Sequence, residues 1–330
     1  MNVLITGQAG FIGYHLTKKL LNDTKIKKIF AIDNLNSYYD VKLKKNRLKD
    51  LKTHKNTKKL TTFNFDIKHK NKLDRIFFKK KIDIIVHLAA QAGIRYSLIN
   101  PQSYISSNIN GFYNIIELSK KKKIKKLIYA SSSSAYGNLA KVPFTENSMQ
   151  NKPLQLYAAT KISNEAMAYA YSNLYKFESI GLRFFTVYGP HGRPDMAIYK
   201  FVKSISQNKS IDLYGKGEML RDFTYIDDVI KCIVKIIERK KSLSKNKNQE
   251  HHQIYNIGKG SPIKIKSLIR NIEIILKKKA LIRFKKITKG EMQKTYCSID
   301  KFKKDFNYAP DTHIKDGLKS FINWYKNYKY

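Results

Sequence analysis

The sequence predicts an α/β fold in which helices wind around a parallel sheet. In the first half of the chain, short runs rich in β-branched residues alternate with longer helical patterns, which is typical of βαβ units. The predicted strands are Val3 to Thr6, Ile29 to Ile32, Thr62 to Asp66, Ile84 to His87, Leu127 to Ser131 and Ser179 to Phe185. The helical segments between them include Ile12 to Leu21, Lys72 to Phe78, Pro101 to Lys121 and Tyr157 to Tyr175. We therefore expect a doubly wound parallel sheet.

The second half of the chain is less regular. A helical segment from Met196 to Asn208 is followed by GKGEMLRDFTYIDD, which predicts a loop, and then by a helix from Asp227 to Arg239. The next stretch, KKSLSKNKNQEHH, is polar and of low complexity, so we expect a surface loop there. With 330 residues, 42% of them apolar, the chain can bury the core of one large domain or of two smaller ones.

The charge of the chain is strongly positive, with 65 basic residues, 25 acidic residues and a formal net charge of +40. Such a charge suggests nucleic acid or an anionic membrane as a partner. Only nine of the basic residues are Arg, however, and the lysines are spread over many segments instead of alternating with aromatics along one groove. An AT-rich coding bias accounts for this composition. We expect no specific nucleic-acid partner, only nonspecific binding to polyanions at low salt.

The chain shows no sign of export or of membrane insertion. It begins with MNVLITG, which lacks the basic and apolar regions of a signal peptide. No stretch approaches the roughly 18 consecutive apolar residues that a spanning helix needs. The two cysteines, Cys232 and Cys297, lie far apart in the sequence. We expect a reduced, soluble, cytoplasmic protein with no membrane association and no metal site.

A glycine-rich turn follows the first predicted strand. The motif GQAGFIG places Gly7, Gly10 and Gly13 at three-residue spacing where a helix should begin. Glycines there let backbone amides approach a pyrophosphate, and the helix N-terminus adds a partial positive charge. The second strand is followed by Asp33, whose carboxylate suits the ribose diol of NAD and repels the 2′-phosphate of NADP. We expect NAD as the cofactor.

Other strand ends extend this predicted dinucleotide site. Asp66 and Ile67 follow the third strand, where they can meet the adenine, and HLAAQAG supplies small residues after the fourth strand. His87 lies within the strand pattern and is expected in the core. The full set expected to contact the dinucleotide is Gly7, Gly10, Phe11, Ile12, Gly13, Asp33, Asn34, Asp66, Ile67, Leu88, Ala89, Ala90, Tyr157 and Lys161.

The motif YAATK places Tyr157 and Lys161 four residues apart, on one face of a helix. A phenol with a pKa of roughly 10 is a poor base at neutral pH, and each unit of depression takes about 1.4 kcal/mol of preferential phenolate stabilisation. We expect Lys161 and a positively charged nicotinamide ring to supply it, while a serine hydroxyl aligns the substrate oxygen. The alternative is an ordinary tyrosine on a helix surface.

Several longer motifs are similar to those of a known family. They are GQAGFIG, IDNLNSYYDVKLKKNRL, HLAAQAGIRYSLINP, SNINGF, YASSSSAYG, LYAATK, GLRFFTVYGPHGRPDMA and RDFTYIDD. The chain resembles the extended short-chain dehydrogenases/reductases, within them the nucleotide-sugar epimerases, and most closely the UDP-glucuronate 4-epimerases. This resemblance covers most of the chain and weakens over its last 70 residues.

The resemblance implies two domains and a homodimer. Residues 1–180 would form a Rossmann-type NAD domain, and residues 181–330 would mainly form a smaller C-terminal α/β domain for the nucleotide sugar, with the chain crossing between them. In the family, NAD stays bound and is regenerated in each turnover, and the helices near Asn108 and Tyr157 pair across a two-fold axis.

Catalytic roles are carried over motif by motif. Ser132 corresponds to the catalytic serine, Tyr157 to the base and Lys161 to the residue that tunes it. Asn108, in SNING, would brace the adjacent helix and a water network.

Substrate contacts are carried over in the same way. Thr186 stands where galactose-type epimerases carry an asparagine that contacts the nucleotide sugar. Arg193 and Arg221 would hold the uridine diphosphate, since forked donors suit phosphate, and Arg95 is a further substrate contact. For each arginine the alternative is a structural salt bridge.

The two residues after Ser132 separate an epimerase from its relatives. Dehydratases of the family carry Asp-Glu there, and decarboxylases carry a glutamate two residues after the catalytic hydroxyl. Ser133 and Ser134 occupy these positions and cannot act as general acids or bases near neutral pH. We expect both to bind the sugar carboxylate, and the reaction to be inversion at carbon 4 of UDP-glucuronate, giving UDP-galacturonate for a surface polysaccharide.

Two other functions stay open at this point. A UDP-glucose or UDP-N-acetylglucosamine 4-epimerase would use the same chemistry on a sugar with a neutral carbon 6. A polyanion-binding protein on a Rossmann scaffold belongs to a different class. Family members with a degenerate catalytic site lose the glycines, the tyrosine or the lysine. This chain keeps all of them.

Overall fold

The computed structural model describes residues 1–137, 140–148, 152–240, 251–286 and 292–328. Its strands are β1 (Asn2–Thr6), β2 (Lys28–Asp33), β3 (Leu60–Asn64), β4 (Ile84–His87), β5 (Lys126–Ser132), β6 (Glu178–Phe184), β7 (Thr186–Tyr188), β8 (Ser210–Tyr214), β9 (Leu220–Arg221), β10 (Phe223–Tyr225), β11 (His252–Ile257), β12 (Ile263–Lys264), β13 (Leu281–Lys285) and β14 (Lys294–Thr295). Its α-helices are α1 (Phe11–Leu21), α2 (Val41–Lys52), α3 (Lys70–Phe77), α4 (Pro101–Tyr104), α5 (Gly111–Lys121), α6 (Leu156–Tyr175), α7 (Ala197–Ser206), α8 (Ile226–Glu238), α9 (Ile265–Leu276), α10 (Asp300–Phe306) and α11 (Ile314–Asn327).

Seven of these strands form one sheet in the order β11-β6-β5-β4-β1-β2-β3, and every neighbouring pair is parallel. The order changes direction between β1 and β4, which is where open α/β sheets bind ligands at the carboxyl ends of their strands. The predicted doubly wound, Rossmann-type sheet is confirmed.

Separate apolar clusters cover the two faces of this sheet. In β1, Val3 and Ile5 belong to the cluster that contains Leu16 and Leu20 of α1, whereas Leu4 belongs to the cluster on the other face. This alternation follows from the two-residue period of a strand. Each face is therefore buried under helices, which is why the strands read as nearly continuous apolar runs.

A third apolar cluster lies in the second half of the chain. It joins β8, α7, α9 and α11 through residues such as Leu213, Val202, Leu268 and Leu318. Within the described residues, no helix combines the length and apolar character that crossing a membrane requires.

The sequence did not predict α2. Its buried residues are Leu43, Lys44, Arg47 and Leu51, so two charged residues interrupt the apolar stripe and weaken the helical pattern. Asp40 begins the helix by accepting a hydrogen bond from the amide of Lys42 at 2.8 Å.

Two other elements differ from the sequence pattern. The predicted helix from Pro101 to Lys121 contains a π-helical stretch, Ile105–Asn110, between α4 and α5. The edge strand of the sheet, β11, begins at the end of the polar run KKSLSKNKNQEHH. Residues 241–250 of that run lie outside the described residues. The expected boundary at residue 180 falls inside β6, and β11 carries the chain back to the large sheet.

Candidate active site

A cavity of about 900 Å³ lies at the carboxyl ends of the strands of the large sheet. It is lined by all the cofactor, substrate and catalytic residues that the sequence predicted, with the exception of Asn108. Those lining residues are Gly7, Gly10, Phe11, Ile12, Gly13, Asp33, Asn34, Asp66, Ile67, Leu88, Ala89, Ala90, Arg95, Ser132, Ser133, Ser134, Tyr157, Lys161, Thr186, Arg193 and Arg221. The fold therefore brings residues from more than 200 positions of sequence into one site.

The glycine turn has no room for side chains. Gly7 has φ +77°, and a Cβ there would lie 2.8 Å from the backbone nitrogen of Ala89. A Cβ on Gly13 would overlap the carbonyl oxygen of Gly7. Because α1 begins at Phe11, its N-terminus faces the same cavity. A cradle of this kind fits the pyrophosphate of a dinucleotide.

Asp33 ends β2 and stabilises the turn directly. Its carboxylate accepts hydrogen bonds from the backbone amides of Ala9 at 2.9 Å and Leu35 at 2.8 Å. Asn34 donates to the carboxylate of Asp66 at 3.1 Å and so joins the ends of two neighbouring strands. The carboxylate of Asp33 borders the cavity and keeps lone pairs for the ribose diol expected there.

Tyr157 and Lys161 lie one turn apart on α6. Lys161 donates to the carbonyl oxygen of Ala130 at 2.8 Å, and burial lowers the pKa of its ammonium group to about 8. Burial raises the pKa of Tyr157, while a hydrogen bond with Ser132 and the charge of Arg193 oppose that rise. The sequence predicted that Lys161 would act on the phenol, and its Nζ lies 6.0 Å from the ring centre. Ser132 and Arg193 are the protein groups that lower the pKa of Tyr157.

A buried ion pair anchors the helix that carries Tyr157. Glu165 on α6 accepts from Arg183 on β6 through both oxygens, at 2.9 and 2.8 Å. Ser131 donates to the same carboxylate at 2.5 Å. Side-chain exposure of the pair is only 3% and 6%, so α6 is fastened to β5 and β6 from within the core. This fastening holds Tyr157 above the end of β5.

Asn108 is buried below the cavity in the π-helical stretch. It exchanges hydrogen bonds with the backbone of Gln91, accepting at 2.8 Å and donating at 3.0 Å, and it donates to Thr160 on α6 at 3.1 Å. Asn108 thus joins the loop after β4 to the helix of Tyr157.

The four serines span the end of β5, with Ser131 and Ser132 in the strand and Ser133 and Ser134 after it. Ser132 is the last residue of that strand, and its hydroxyl accepts from the amide of Ser134 at 3.2 Å. Residues Ser133–Tyr136 then form a single 3-10 turn, and Gly137 follows with φ +67°. The run is an ordered strand-to-turn junction that presents neutral hydroxyl groups to the cavity.

The predicted substrate arginines line the other side of the cavity. Arg193 forms a bidentate pair with Asp195 at 3.0 and 2.5 Å, and Tyr38 donates to the same carboxylate at 3.1 Å. Arg221 donates to the backbone carbonyls of Leu220 and Gln293, at 2.9 and 3.2 Å.

Arg95 stacks over an aromatic ring on the same side, with its guanidinium carbon 4.7 Å from the ring centre of Tyr214 on β8. The salt-bridge alternative therefore describes part of what Arg193 does. Arg95 contacts the ring of Tyr214, and Arg221 contacts two backbone carbonyls and the sulfur of Met219.

Sequence reasoning missed Lys44 and Tyr38 as residues of this site. Lys44 on α2 donates to the carbonyl and side-chain oxygens of Asn36, each at 2.7 Å, and burial lowers its pKa to about 8. Both residues line the cavity, and both belong to the motif IDNLNSYYDVKLKKNRL. That motif was the available signal, but its residues were not assigned individually.

Comparison with known proteins agrees with this geometry. The family model described as "NAD dependent epimerase/dehydratase family" matches residues 3–258, more than half of the chain. The chain belongs to this family. Membership of the epimerase/dehydratase family confirms the resemblance that the motifs indicated.

Individual relatives in the epimerase/dehydratase family align over nearly the whole chain. Protein CapI of Staphylococcus aureus is 43% identical and covers 99% of each chain. The UDP-glucuronate 4-epimerase of Thermodesulfobacterium geofontis is 41% identical over 98% of this chain and 95% of its own. The crystal structure of UDP-glucuronic acid 4-epimerase from Bacillus cereus, in complex with UDP-glucuronic acid and NAD, is 32% identical, has a TM-score of 0.89 and covers 99% of each chain.

Proposed function

We propose that this enzyme interconverts UDP-glucuronate and UDP-galacturonate by NAD-dependent inversion at carbon 4. The observation that carries the proposal is that Ser132, Tyr157 and Lys161 line the same cavity as the glycine turn. The names and bound molecules of the aligned relatives support the choice of substrate.

The residues of the glycine turn and of the neighbouring strand ends would hold the NAD. When bound, NAD accepts a hydride from carbon 4 of the sugar and returns it to that carbon. Tyr157 removes the proton of the 4-hydroxyl group and gives it back, while Ser132 holds the same oxygen in line. Inversion follows when the 4-keto sugar turns over in the cavity and presents its other face.

The pKa of Tyr157 decides whether this proton transfer is fast near neutral pH. Burial raises the pKa of the phenol, so positive charge and hydrogen bonding must compensate. Ser132 and Arg193 supply part of this compensation. The positive charge of bound NAD would add to it. Lys161 donates to the carbonyl oxygen of Ala130 and so fixes the local backbone.

The carboxylate of the sugar needs separate control. A 4-keto glucuronate is a β-keto acid, and it loses carbon dioxide when the bond to its carboxylate aligns with the ketone π-system. Ser133, Ser134 and Thr186 line the cavity with neutral hydroxyl groups that can hold the carboxylate out of that alignment. Arg193 and Arg221 hold the diphosphate, and Arg95 is a further contact to the substrate.

Product analysis tests the function. Purified enzyme incubated with UDP-glucuronate and no added NAD should form UDP-galacturonate, because the cofactor stays bound. Tyr157→Phe should lower kcat by at least about 1000-fold, which corresponds to roughly 4 kcal/mol, while UDP binding is retained. UDP-glucose and UDP-N-acetylglucosamine in parallel reactions test the neutral-sugar alternative.

Two product patterns would contradict the proposal. Formation of a UDP-pentose as the main product would make the enzyme a decarboxylase. Conversion of the neutral sugars with no conversion of UDP-glucuronate would assign the other epimerase. For the serines, Ser133→Ala combined with Ser134→Ala should raise the KM for UDP-glucuronate and release some UDP-pentose. An unchanged KM and product would remove them from carboxylate binding.

We also propose a homodimer. The helices expected to pair across a two-fold axis carry exposed apolar side chains, among them Tyr113 on α5 and Tyr169 and Leu174 on α6. Exposed aromatic and leucine side chains on adjacent helices are typical of a covered interface. Light scattering after gel filtration should give twice the monomer mass of 38.4 kDa.

The division of labour along the chain is part of the same proposal. Residues 1–180 form the NAD domain with the catalytic residues, and residues 181–330 mainly form the nucleotide-sugar domain. The enzyme works in the cytoplasm, where nucleotide sugars are made and thiols are kept reduced.

A further inference from the structure

Arg47 contacts both the glycine turn and the loop that precedes Arg193. It is fully buried on α2, and its Nη1 donates to the carbonyl oxygen of Ala9 in the glycine turn at 2.6 Å. Its Nη2 donates to the carbonyl oxygen of His191 at 2.6 Å, and Nη1 also donates to the hydroxyl of Tyr39 at 2.8 Å. One guanidinium group therefore joins a residue of the predicted cofactor turn to a residue 182 positions later.

All three acceptors of Arg47 are neutral, and its Nε finds no hydrogen-bond partner among the described residues. A buried charge with neutral partners is costly compared with an apolar side chain of the same volume. Stability alone therefore does not explain an arginine at this point. The two terminal nitrogens of its guanidinium group donate to two different loops, which fits a role in fixing the distance between those loops.

The loop that Arg47 reaches is a tight turn with a strained residue. The amide of Gly192 donates to the carbonyl of Gly189 at 3.0 Å, Pro190 follows Gly189, and His191 has φ +58°. Glycine or asparagine usually occupies such a position. The turn leads directly into Arg193, so its conformation sets where that guanidinium group lies.

Both carbonyls at the head of the turn are held by the first two helices. His15 on α1 contacts the carbonyl oxygen of Pro190 through Nε2 at 2.8 Å, as Arg47 on α2 contacts that of His191. Each contact runs from an element packed on the glycine turn to the loop that carries Arg193. The backbone strain at His191 is thereby opposed by two hydrogen bonds.

We propose that Arg47 is a positioning residue that fastens the turn from Gly189 to Arg193 to the glycine turn, and so raises the affinity of the cavity for a nucleoside diphosphate sugar. This inference rests on the proposed function, because Arg193 must bind an anionic group of the substrate. It predicts that loss of Arg47 weakens substrate binding although Arg47 does not line the cavity.

The test is calorimetric titration of UDP into purified holoenzyme. Arg47→Met, which keeps an unbranched side chain and removes the donors, should weaken UDP binding at least 10-fold. Arg47→Lys should weaken it at least 3-fold, because one ammonium group cannot reach the carbonyls of Ala9 and His191 together. Lys45→Met, at an exposed position of the same helix, is the matched control and should bind UDP like the wild type.

The outcomes separate this inference from the proposed function. Failure of the wild-type holoenzyme to bind UDP would count against the proposed function. If the wild type binds UDP and Arg47→Met binds it equally well, with only a lower melting temperature, Arg47 is a structural residue and the inference is wrong. Should Arg47→Met fail to fold, Arg47→Lys decides alone, and an unchanged UDP affinity overturns the inference.

Discussion

The two sides of the cavity are built by different means. On the dinucleotide side, Gly7 and Gly13 expose backbone atoms and leave no room for a Cβ. On the opposite side, Arg193 and Arg221 present charged side chains that are held by Asp195 and by backbone carbonyls. A wall made of backbone tolerates no added atoms, whereas a wall of paired side chains can exchange one partner for a ligand.

The largest expected effect distinguishes two arginine–carboxylate pairs. Glu165→Gln should lower the free energy of unfolding by about 4 kcal/mol, because it leaves the charge of Arg183 in the core without its carboxylate. Asp195→Asn should cost less than about 1 kcal/mol, since its pair with Arg193 is 21–26% exposed. Urea denaturation measures both. Equal losses would show that the pair of Arg193 and Asp195 contributes as much to stability as the buried pair of Arg183 and Glu165.

A smaller effect tests the backbone wall. Gly7→Ala places a side chain at φ +77° and against Ala89, which together cost on the order of 3 kcal/mol and reduce NAD affinity about 100-fold. Gly10→Ala should lose less NAD, since its φ is −70° and the nearest atom to its Cβ is a single carbonyl oxygen at 3.0 Å. The NAD content after desalting measures both. If Gly10→Ala lost more NAD than Gly7→Ala, the explanation from backbone crowding would be wrong.

Acid pH should lower the free energy of unfolding through His15, which contacts the loop that carries Arg193. Burial lowers the pKa of His15 to about 3 from its ordinary 6.5, so the unfolded chain takes up a proton that the folded protein refuses. Stability from this residue is complete above pH 6.5 and is lost as the pH falls toward 3, at about 1.4 kcal/mol per pH unit.

A single variant isolates that contribution. His15→Gln keeps a donor for Pro190 and removes the titration. Its unfolding free energy should fall less than that of the wild type between pH 6.5 and 5.5, by about 1 kcal/mol, because the unfolded histidine is already half protonated at pH 6.5. Parallel curves for the two proteins would mean that folding does not lower the pKa of His15.

The smallest expected effect concerns the side of the cavity that is built from charged side chains. Arg221→Lys keeps the charge but loses the fork that contacts Leu220 and Gln293. We expect the KM for UDP-glucuronate to rise about 5-fold, which is roughly 1 kcal/mol, with kcat and NAD content unchanged. A loss of NAD in this variant would show that the dinucleotide side and the substrate side of the cavity do not act separately.

The sequence predicted the backbone side better than the side-chain side, for a physical reason. Strands and the glycine turn depend on local patterns, such as apolar runs and glycine spacing, that are visible along the chain. The six predicted strands all appear, although β3 begins at Leu60 and not at Thr62. Partners of charged groups depend on distant residues, so neither the pair of Arg193 with Asp195 nor the bridge made by Arg47 was predicted.

Helix α2 shows where local patterns fail. Its sequence is lysine-rich, and its buried stripe contains Arg47, so its periodicity is hidden. Only the contacts to Ala9 and His191 explain why a charged residue belongs on that face. The electrostatic surroundings of Tyr157 were incomplete for a similar reason, because the sequence could not show that Arg193 lies close enough to lower the pKa of its phenol.

The position of β11 in the sheet has a consequence for synthesis on the ribosome. This strand pairs with β6 along its whole length, yet the chain reaches it only after residue 251. Until then β6 is an open edge, with unpaired amide and carbonyl groups that can recruit another strand. A nascent chain arrested between β6 and β11 would therefore present an aggregation-prone border. Synthesis of β11 closes that border with a segment from the second half of the chain.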